Sequence, residues 1–250
     1  MSMPVNVISR RRGRPPAAAA PDADSPHRVE AVERALTILD AFDEGRPALS
    51  LAELSERTGL YPSTILRLAG SLSRFGYLHR GADGQFRIGP KPAHLGMLYR
   101  QSFELTDHIR PALARLVAET EETAAFYIRA GDKRICLYRH HSPRLVRHHL
   151  EEGAELTLER GASAHVLMAY SGGAGPRYEA IRKAGLCLSV RERDPETAAL
   201  AAPVFGRGHA FLGALGITGW PAYFEGDSLA RYKSVLAGEA ARLSRAISGE

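Results

Sequence analysis

Cysteine is almost absent from this chain, which carries only Cys136 and Cys187. A disulfide scaffold is therefore excluded, and a reducing, cytoplasmic setting is expected. No apolar run approaches the ~18 residues of a membrane span, so no membrane partner is expected either. The first residues lack a signal-peptide core, because Arg10, Arg11, Arg12 and Arg14 lead into Pro and Ala rather than an apolar run. Catalytic signatures are missing too: there is no phosphate-cradling glycine loop, no Gly-x-Ser-x-Gly elbow and no HExxH. No enzyme activity and no cofactor are expected, and no tight ligand spacing marks a metal site.

What is present is basic charge, unevenly spread. The net charge is +5, which suits a polyanionic partner. From Arg28 to Glu56 there are three Lys/Arg against seven Asp/Glu, whereas from Arg57 to Arg100 there are seven against Asp83 alone. Such a shift within ~70 residues is the mark of a small domain with one basic face. Residues 1–27 are rich in Arg, Pro and Ala and read as a disordered basic tail. Its Arg12-Gly13-Arg14-Pro15 has the composition of a minor-groove hook, although a merely basic tail explains it as well.

Residues 28–90 carry the pattern of a winged helix-turn-helix. Val29, Val32, Leu36, Leu39 and Phe42 recur at helical spacing, predicting a first helix over 28–43. Ser50 with Glu53 is a capping box that opens a second helix, which Gly59 closes. Pro62 then suits the first turn of a third helix whose Ile65, Leu68 and Leu72 face inward. Tyr77–Arg80 and Gln85–Ile88, joined by Gly81-Ala82-Asp83-Gly84, read as the wing hairpin. The expected core is Leu36, Leu39, Phe42, Leu51, Leu54, Ile65, Leu68, Leu72 and Leu78. A third helix held clear by the tight Gly59–Pro62 connection fits a major groove.

Pro90 and Pro92 end the wing, and a connecting helix is expected over His94–Phe103 within a linker at 91–105. A second domain over 106–250 begins with a helix at Ile109–Glu121 that has Pro111 in its first turn. Strand-like runs follow at Ala124–Arg129, Arg134–His140 and Leu145–Leu150. Helices at Ser163–Tyr170 and Arg177–Ala184 precede strands at Leu186–Val190, Leu200–Phe205 and Ala210–Thr218, with a closing helix over Ser228–Ile247. Two groups of strands divided by helices predict an α+β sheet domain of the sensor kind.

The order of these elements and their local words together resemble the IclR family of bacterial transcription regulators. Leu51-Ala52-Glu53-Leu54-Ser55-Glu56-Arg57-Thr58-Gly59-Leu60, then Ser63-Thr64 and Arg67-Leu68, resemble that family's helix-turn-helix. Gly161-Ala162-Ser163-Ala164-His165-Val166-Leu167 is similar to its signature segment, and Leu200-Ala201-Ala202-Pro203-Val204-Phe205 to its Ala-Ala-Pro-Val strand. Gly213-Ala214-Leu215-Gly216-Ile217-Thr218-Gly219 follows at the matching distance. The resemblance implies a winged helix-turn-helix joined by a linker helix to a GAF/PAS-like effector-binding domain. It also implies double-stranded operator DNA, a small-molecule effector such as a carboxylate, and self-association as a dimer or dimer of dimers. Pro62 stands where many members have a basic residue, His165 where Lys or Arg is usual, and Thr157 where Pro is usual.

Arg67 is placed to donate two bonds to a guanine edge. Ser63 and Thr64 can meet phosphate at the helix start, although plain capping explains them too. Tyr61, Arg57, Arg80 and Arg87 complete the expected DNA-contacting set. By motif, the effector site is expected at Ala162, Ser163, Ser189, Ala199, Gly216 and Thr218, with His140 near it. That lining predicts a roomy, weakly polar pocket for a larger or more aromatic effector. His140, His141, His148 and His149, with Arg139, Arg144 and Arg147, read as an anion-binding lining, a metal site with Cys136, or exposed or interface histidines. Effector binding is expected to reposition two DNA-reading heads through the 92–104 helix. Two alternatives remain at this point: a DNA-binding protein whose second domain only dimerises, and a hydrolase using Cys136 or Cys187.

Overall fold

The computed structural model describes residues 29–43, 45–102, 105–144 and 150–249. The expected tail over 1–27, with its Arg12-Gly13-Arg14-Pro15, lies outside these residues. So do most of the strand expected at Leu145–Leu150 and the residues Arg147, His148 and His149. Two compact units divide the chain between Met97 and Leu98. No helix among the described residues is long and apolar enough to cross a membrane.

The first unit begins with α1 (Glu30–Leu39), followed by the short β1 (Ala48–Leu49). Ser50 then caps α2 (Leu51–Thr58) reciprocally: its Oγ accepts from the Glu53 amide while Glu53 accepts from the Ser50 amide. That box satisfies two helix-end donors at once. Gly59 closes α2 at φ 69°, in the left-handed region that glycine adopts without a Cβ penalty. α3 (Pro62–Arg74) starts on Pro62, and β2 (Leu78–Arg80) and β3 (Phe86–Ile88) form the wing. β3 lies between β1 and β2, so the wing sheet has three antiparallel strands rather than a bare hairpin.

The core of this unit is Ile38, Ala41, Leu49, Leu54, Ile65, Ala69, Leu78 and Phe86, with Leu39, Phe42, Leu51, Leu68 and Leu72 partly buried around it. Leu36 is a correction, being 52% exposed, like Val29 at 60% and Val32 at 54%. α1 buries Ile38, with Ala41 just beyond its end, and turns Val32 and Leu36 outward. Helical spacing alone cannot choose between these faces.

α4 (Pro90–Ser102) starts on the prolines themselves, because a first helical turn has no use for their missing N–H. The predicted end at Phe103 is outside the described residues. α5 (Leu105–Thr120) begins before the expected Ile109, so Pro111 lies inside the helix rather than in its first turn.

The second unit is built on a six-stranded antiparallel sheet. Its strands are β4 (Thr123–Ala130), β5 (Lys133–His140), β6 (Glu155–Thr157), β7 (Cys187–Val190), β8 (Ala198–Phe205) and β9 (Phe211–Gly219). The spatial order is β6-β5-β4-β9-β8-β7. α6 (Ala162–Tyr170) and α7 (Pro176–Ala184) separate the two strand groups in sequence, and α8 (Gly226–Ser248) closes the chain. Alternation along each strand sorts the core into two layers. Ala124, Phe126, Leu200 and Leu215 pack with α5 and α8, whereas Ala125, Tyr127, Ala201 and Ala214 pack with α6.

Close packing leaves no room at Gly213, where a Cβ would stand 2.4 Å from the Tyr127 carbonyl and 2.7 Å from the Phe126 ring. At Gly238, on the exposed side of α8, a Cβ would meet nothing within 4 Å. Gly213→Ala should therefore cost about 1–3 kcal/mol of stability by overpacking. Gly238→Ala should add about 0.5–1 kcal/mol through helix propensity. Urea unfolding of the full chain measures both, and equal shifts of the two variants would refute this account of the sheet.

Candidate functional site

In the first unit the outward face of α3 is open. Ile65 and Ala69 point into the core, while Ser63, Leu66, Arg67, Gly70 and Arg74 are exposed. Tyr61 is the N-cap residue and is 78% exposed, with no side-chain capping bond. Ser63 and Thr64 lie inside the first turn, and among the described residues neither hydroxyl has a partner. Simple capping therefore does not account for them. Arg67 is exposed, and Arg74, which the sequence reading did not select, continues its stripe one to two turns on.

The other basic residues are already engaged. Arg57 donates to Asp43 Oδ2 at 2.5 Å, so its charge braces the first unit. Arg87 clamps Asp83 through two bonds of 3.1 and 2.6 Å, and that guanidinium draws the Asp83 carboxyl down to about 2. Arg80 donates to the Gly84 carbonyl at 3.1 Å and lies 5.2 Å over the Phe86 ring. Both wing arginines thus set the turn geometry, and both stay at the surface.

In the second unit one cavity gathers Ala162, Ser163, Ser189, Ala199 and Thr218 with Tyr127, Arg134, Gly161, Arg193 and Thr197. It leaves about 30 Å³ for the centre of a water-sized sphere, room for roughly two waters. The expectation of a roomy and weakly polar pocket is therefore corrected. Two guanidinium-bearing and five hydroxyl-bearing residues line a tight one. The motif carry-over missed Arg134, which comes from β5, and Arg193, which comes from the loop after β7.

Arg134 is the unusual member, with 3% exposure. Its Nη1 donates to the carbonyls of Thr157 and Arg160, each at 2.8 Å, and it lies 5.8 Å over the Tyr127 ring. Its Nε is buried without a partner, and no carboxylate among the described residues pairs with it. Burial lowers its pKa to about 10, so the charge persists at neutral pH. The start of α6 borders the same space, since Gly161, Ala162 and Ser163 line it and the Gly161 N-cap offers no side chain. First-turn amides and a helix dipole add to the positive potential there.

The loop that carries Arg193 and Thr197 is pinned by its neighbour Glu192. One carboxylate oxygen accepts from the Gly161 amide at 3.0 Å and lies 2.7 Å from His165 Nε2; the other accepts from Arg177 at 2.6 Å. Burial raises the Glu192 pKa, but these donors outweigh it and bring it to about 2. His165, in the position where the family usually has Lys or Arg, is thus a buried partner of this loop.

Two expected residues lie elsewhere. Gly216 is buried in β9 beside Ala125 and Ala201, where a Cβ would be 3.0 Å from the Leu200 carbonyl. His140 is exposed and borders a separate hollow with Arg110, Pro111 and Arg139. The register shift between Phe126 and Tyr127 is responsible. Tyr127 pairs with Cys136 but Phe126 pairs with Tyr138, so beyond that point β5 changes face and His140 joins Ala124 on the α5 side.

The chemistry of a hydrolase finds no support. Burial pushes the Cys136 and Cys187 thiols up to about 11, far from a thiolate at neutral pH. Among the described residues no three His, Cys, Asp or Glu side chains come together as a metal site.

Comparison with known proteins agrees with both halves of this geometry. The model of the IclR helix-turn-helix domain matches residues 31–82, and that of the bacterial transcriptional regulator IclR C-terminal domain matches 97–175. The HTH-type transcriptional regulator KipR of Bacillus subtilis is 24% identical over 88% of this chain and 98% of its own. The transcriptional repressor IclR of Escherichia coli is 32% identical over 48% of this chain and 43% of its own. An IclR transcriptional regulator from Alicyclobacillus acidocaldarius has the same fold, with TM-score 0.72, 20% identity and coverage of 87% and 98% of the two chains. An IclR homolog from Microbacterium hydrocarbonoxydans, solved with 4-hydroxybenzoate, gives TM-score 0.68 at 18% identity over 87% of this chain and 100% of its own. With a capped helix-turn-helix and wing in one unit and a sheet-borne effector domain in the other, this chain belongs to the IclR family of DNA-binding transcriptional regulators.

Proposed function

We propose that this regulator reads operator DNA through α3 and is controlled by a small carboxylate held at Arg134. The buried guanidinium without a carboxylate carries the reading. An ion taken out of water costs several kcal/mol unless it is paired, and neutral carbonyls offset only part of that. An incoming carboxylate supplies the missing charge, with the hydroxyls of Ser163, Ser189, Thr197 and Thr218 available for its second oxygen. Arg193 closes over it from the pinned loop. The 4-hydroxybenzoate carried by the Microbacterium homolog is itself a carboxylate.

On the DNA side, Arg67 reads a guanine edge while Ser63, Thr64 and Tyr61 fix the helix on phosphate, and Arg80 and Arg87 lie along the backbone from the wing. Residues 28–90 form the reading head, and 106–250 the effector domain. The exposed α1 stripe of Val29, Val32 and Leu36 is assigned to a second copy of the chain, because paired half-sites require paired heads. The protein acts in the cytoplasm and has no catalytic step. Effector and operator affinities are linked, each altering the other by the same factor.

Arg134→Met keeps bulk and removes charge. In a thermal-shift assay, 4-hydroxybenzoate or pyruvate should raise the melting temperature of the wild type and leave Arg134→Met unmoved. Equal stabilisation by the corresponding neutral amides would sink the carboxylate assignment. Arg67→Ala should lose about 1–3 kcal/mol of base discrimination in binding to selected duplexes while keeping the thermal shift. Acid should release the loop. The folded pKa of Glu192, about 2, lies below its ordinary 4.5, so its contribution is full above pH 4.5 and fades toward pH 2. In the wild type the protection factors of the 191–197 amides, taken against the intrinsic exchange rate at each pH, should fall on acidification toward the Glu192 pKa, whereas in Glu192→Gln they should already be low at pH 6 and change little.

A further inference from the structure

The outer face of α3 holds two features that the assigned DNA contacts do not use. Leu66 is 42% exposed beside Arg67, an apolar side chain turned outward on a helix whose core face is complete without it. One turn on, Gly70 sits in mid-helix, exposed, where a Cβ would meet nothing within 4 Å. Glycine in a helix interior weakens the helix relative to alanine, and here no neighbour among the described residues requires its absence of a side chain. Residues i and i+4 lie side by side on a helix, so the missing side chain of Gly70 leaves open backbone, a notch in the side-chain surface next to Leu66. Arg67 and Arg74 flank it.

We propose that Leu66 and Gly70 form a methyl-reading notch that takes the C5-methyl of one thymine in each half-site, next to the guanine read by Arg67. The inference rests on α3 being the reading helix. In the major groove thymine is the base that presents a methyl group, and apolar contact is how proteins recognise it. Gly70 lets the helix backbone come close enough for that contact, and Leu66 shields the methyl from water. Leu66 is thereby a specificity-determining residue, and the glycine is explained by what approaches it from outside.

The test uses the full-length protein and a duplex selected from a random-sequence library by the wild type. Each thymine is replaced in turn by deoxyuridine, which lacks only the methyl. One position per half-site should weaken wild-type binding about fourfold, the worth of one buried methyl group. Leu66→Ala and Gly70→Ala should bind the thymine duplex more weakly and lose the discrimination against deoxyuridine at that position. Gly70→Ala should at the same time melt at a higher temperature, which separates lost contact from lost folding. Wild-type indifference to every deoxyuridine overturns the notch, as does a penalty that persists in both variants. If Arg67→Ala binds the selected duplex like the wild type, α3 is not the reader, and the notch falls with that reading.

Discussion

The positive charge that Arg134 carries into the second unit is a constraint that the surrounding structure answers piece by piece. Two backbone carbonyls, those of Thr157 and Arg160, accept from its Nη1, and its guanidinium lies over the Tyr127 ring. Neither offers a negative charge. Glu192, on the loop after β7, is instead committed to Gly161, His165 and Arg177. The arrangement keeps a carboxylate near enough to fix the loop but withholds it from the cavity. A site whose own acid neutralised Arg134 would have little left to offer an incoming anion.

Glu192 also explains why the small cavity and a ligand-responsive protein are compatible. The residues that narrow the space are partly side chains of the pinned loop, notably Arg193 and Thr197. Arg191, at the loop start, holds φ at 58°, a left-handed conformation unusual for a residue with a side chain. The loop is thus kept in place by specific donors against a backbone preference, rather than by burial of apolar surface. Segments held in this way open at lower free energy than the sheet beneath them. Access can change while β4, β8 and β9 remain as they are.

How much of this was legible in the sequence differs by level. Ser50, Glu53, Gly59 and Pro62 declared the helix-turn-helix because caps and breakers act locally and their partners lie within a few residues. The strand words around Ala201 and Gly216 did the same for the second unit. What escaped was set by non-local pairing. The buried stripe of α1 depends on what packs beneath it, which displaced Leu36 from the expected core. A single register shift near Phe126 and Tyr127 turned His140 away from the pocket. Arg134 gave no local signal at all, since an arginine in a β-prone run reads as a solvated edge until burial is known. The engaged wing arginines were hidden for a related reason: their count was visible, their pairing with Asp83 and Gly84 was not.

This division has a consequence for how such regulators diversify. Local signals fix the frame, so the frame tolerates substitution only where caps, turns and tight glycines such as Gly213 are respected. The residues proposed to decide what is bound, on α3 and around Arg134, contribute little to that frame. Leu66 and Gly70 face outward, and Arg193 sits on a loop. On that proposal, changing them alters recognition at small cost in folding, whereas Arg134 is different, because its buried charge would tie recognition to stability. An effector that pairs with it therefore stabilises the second unit as it binds, and that differential free energy is what a linked operator equilibrium can use.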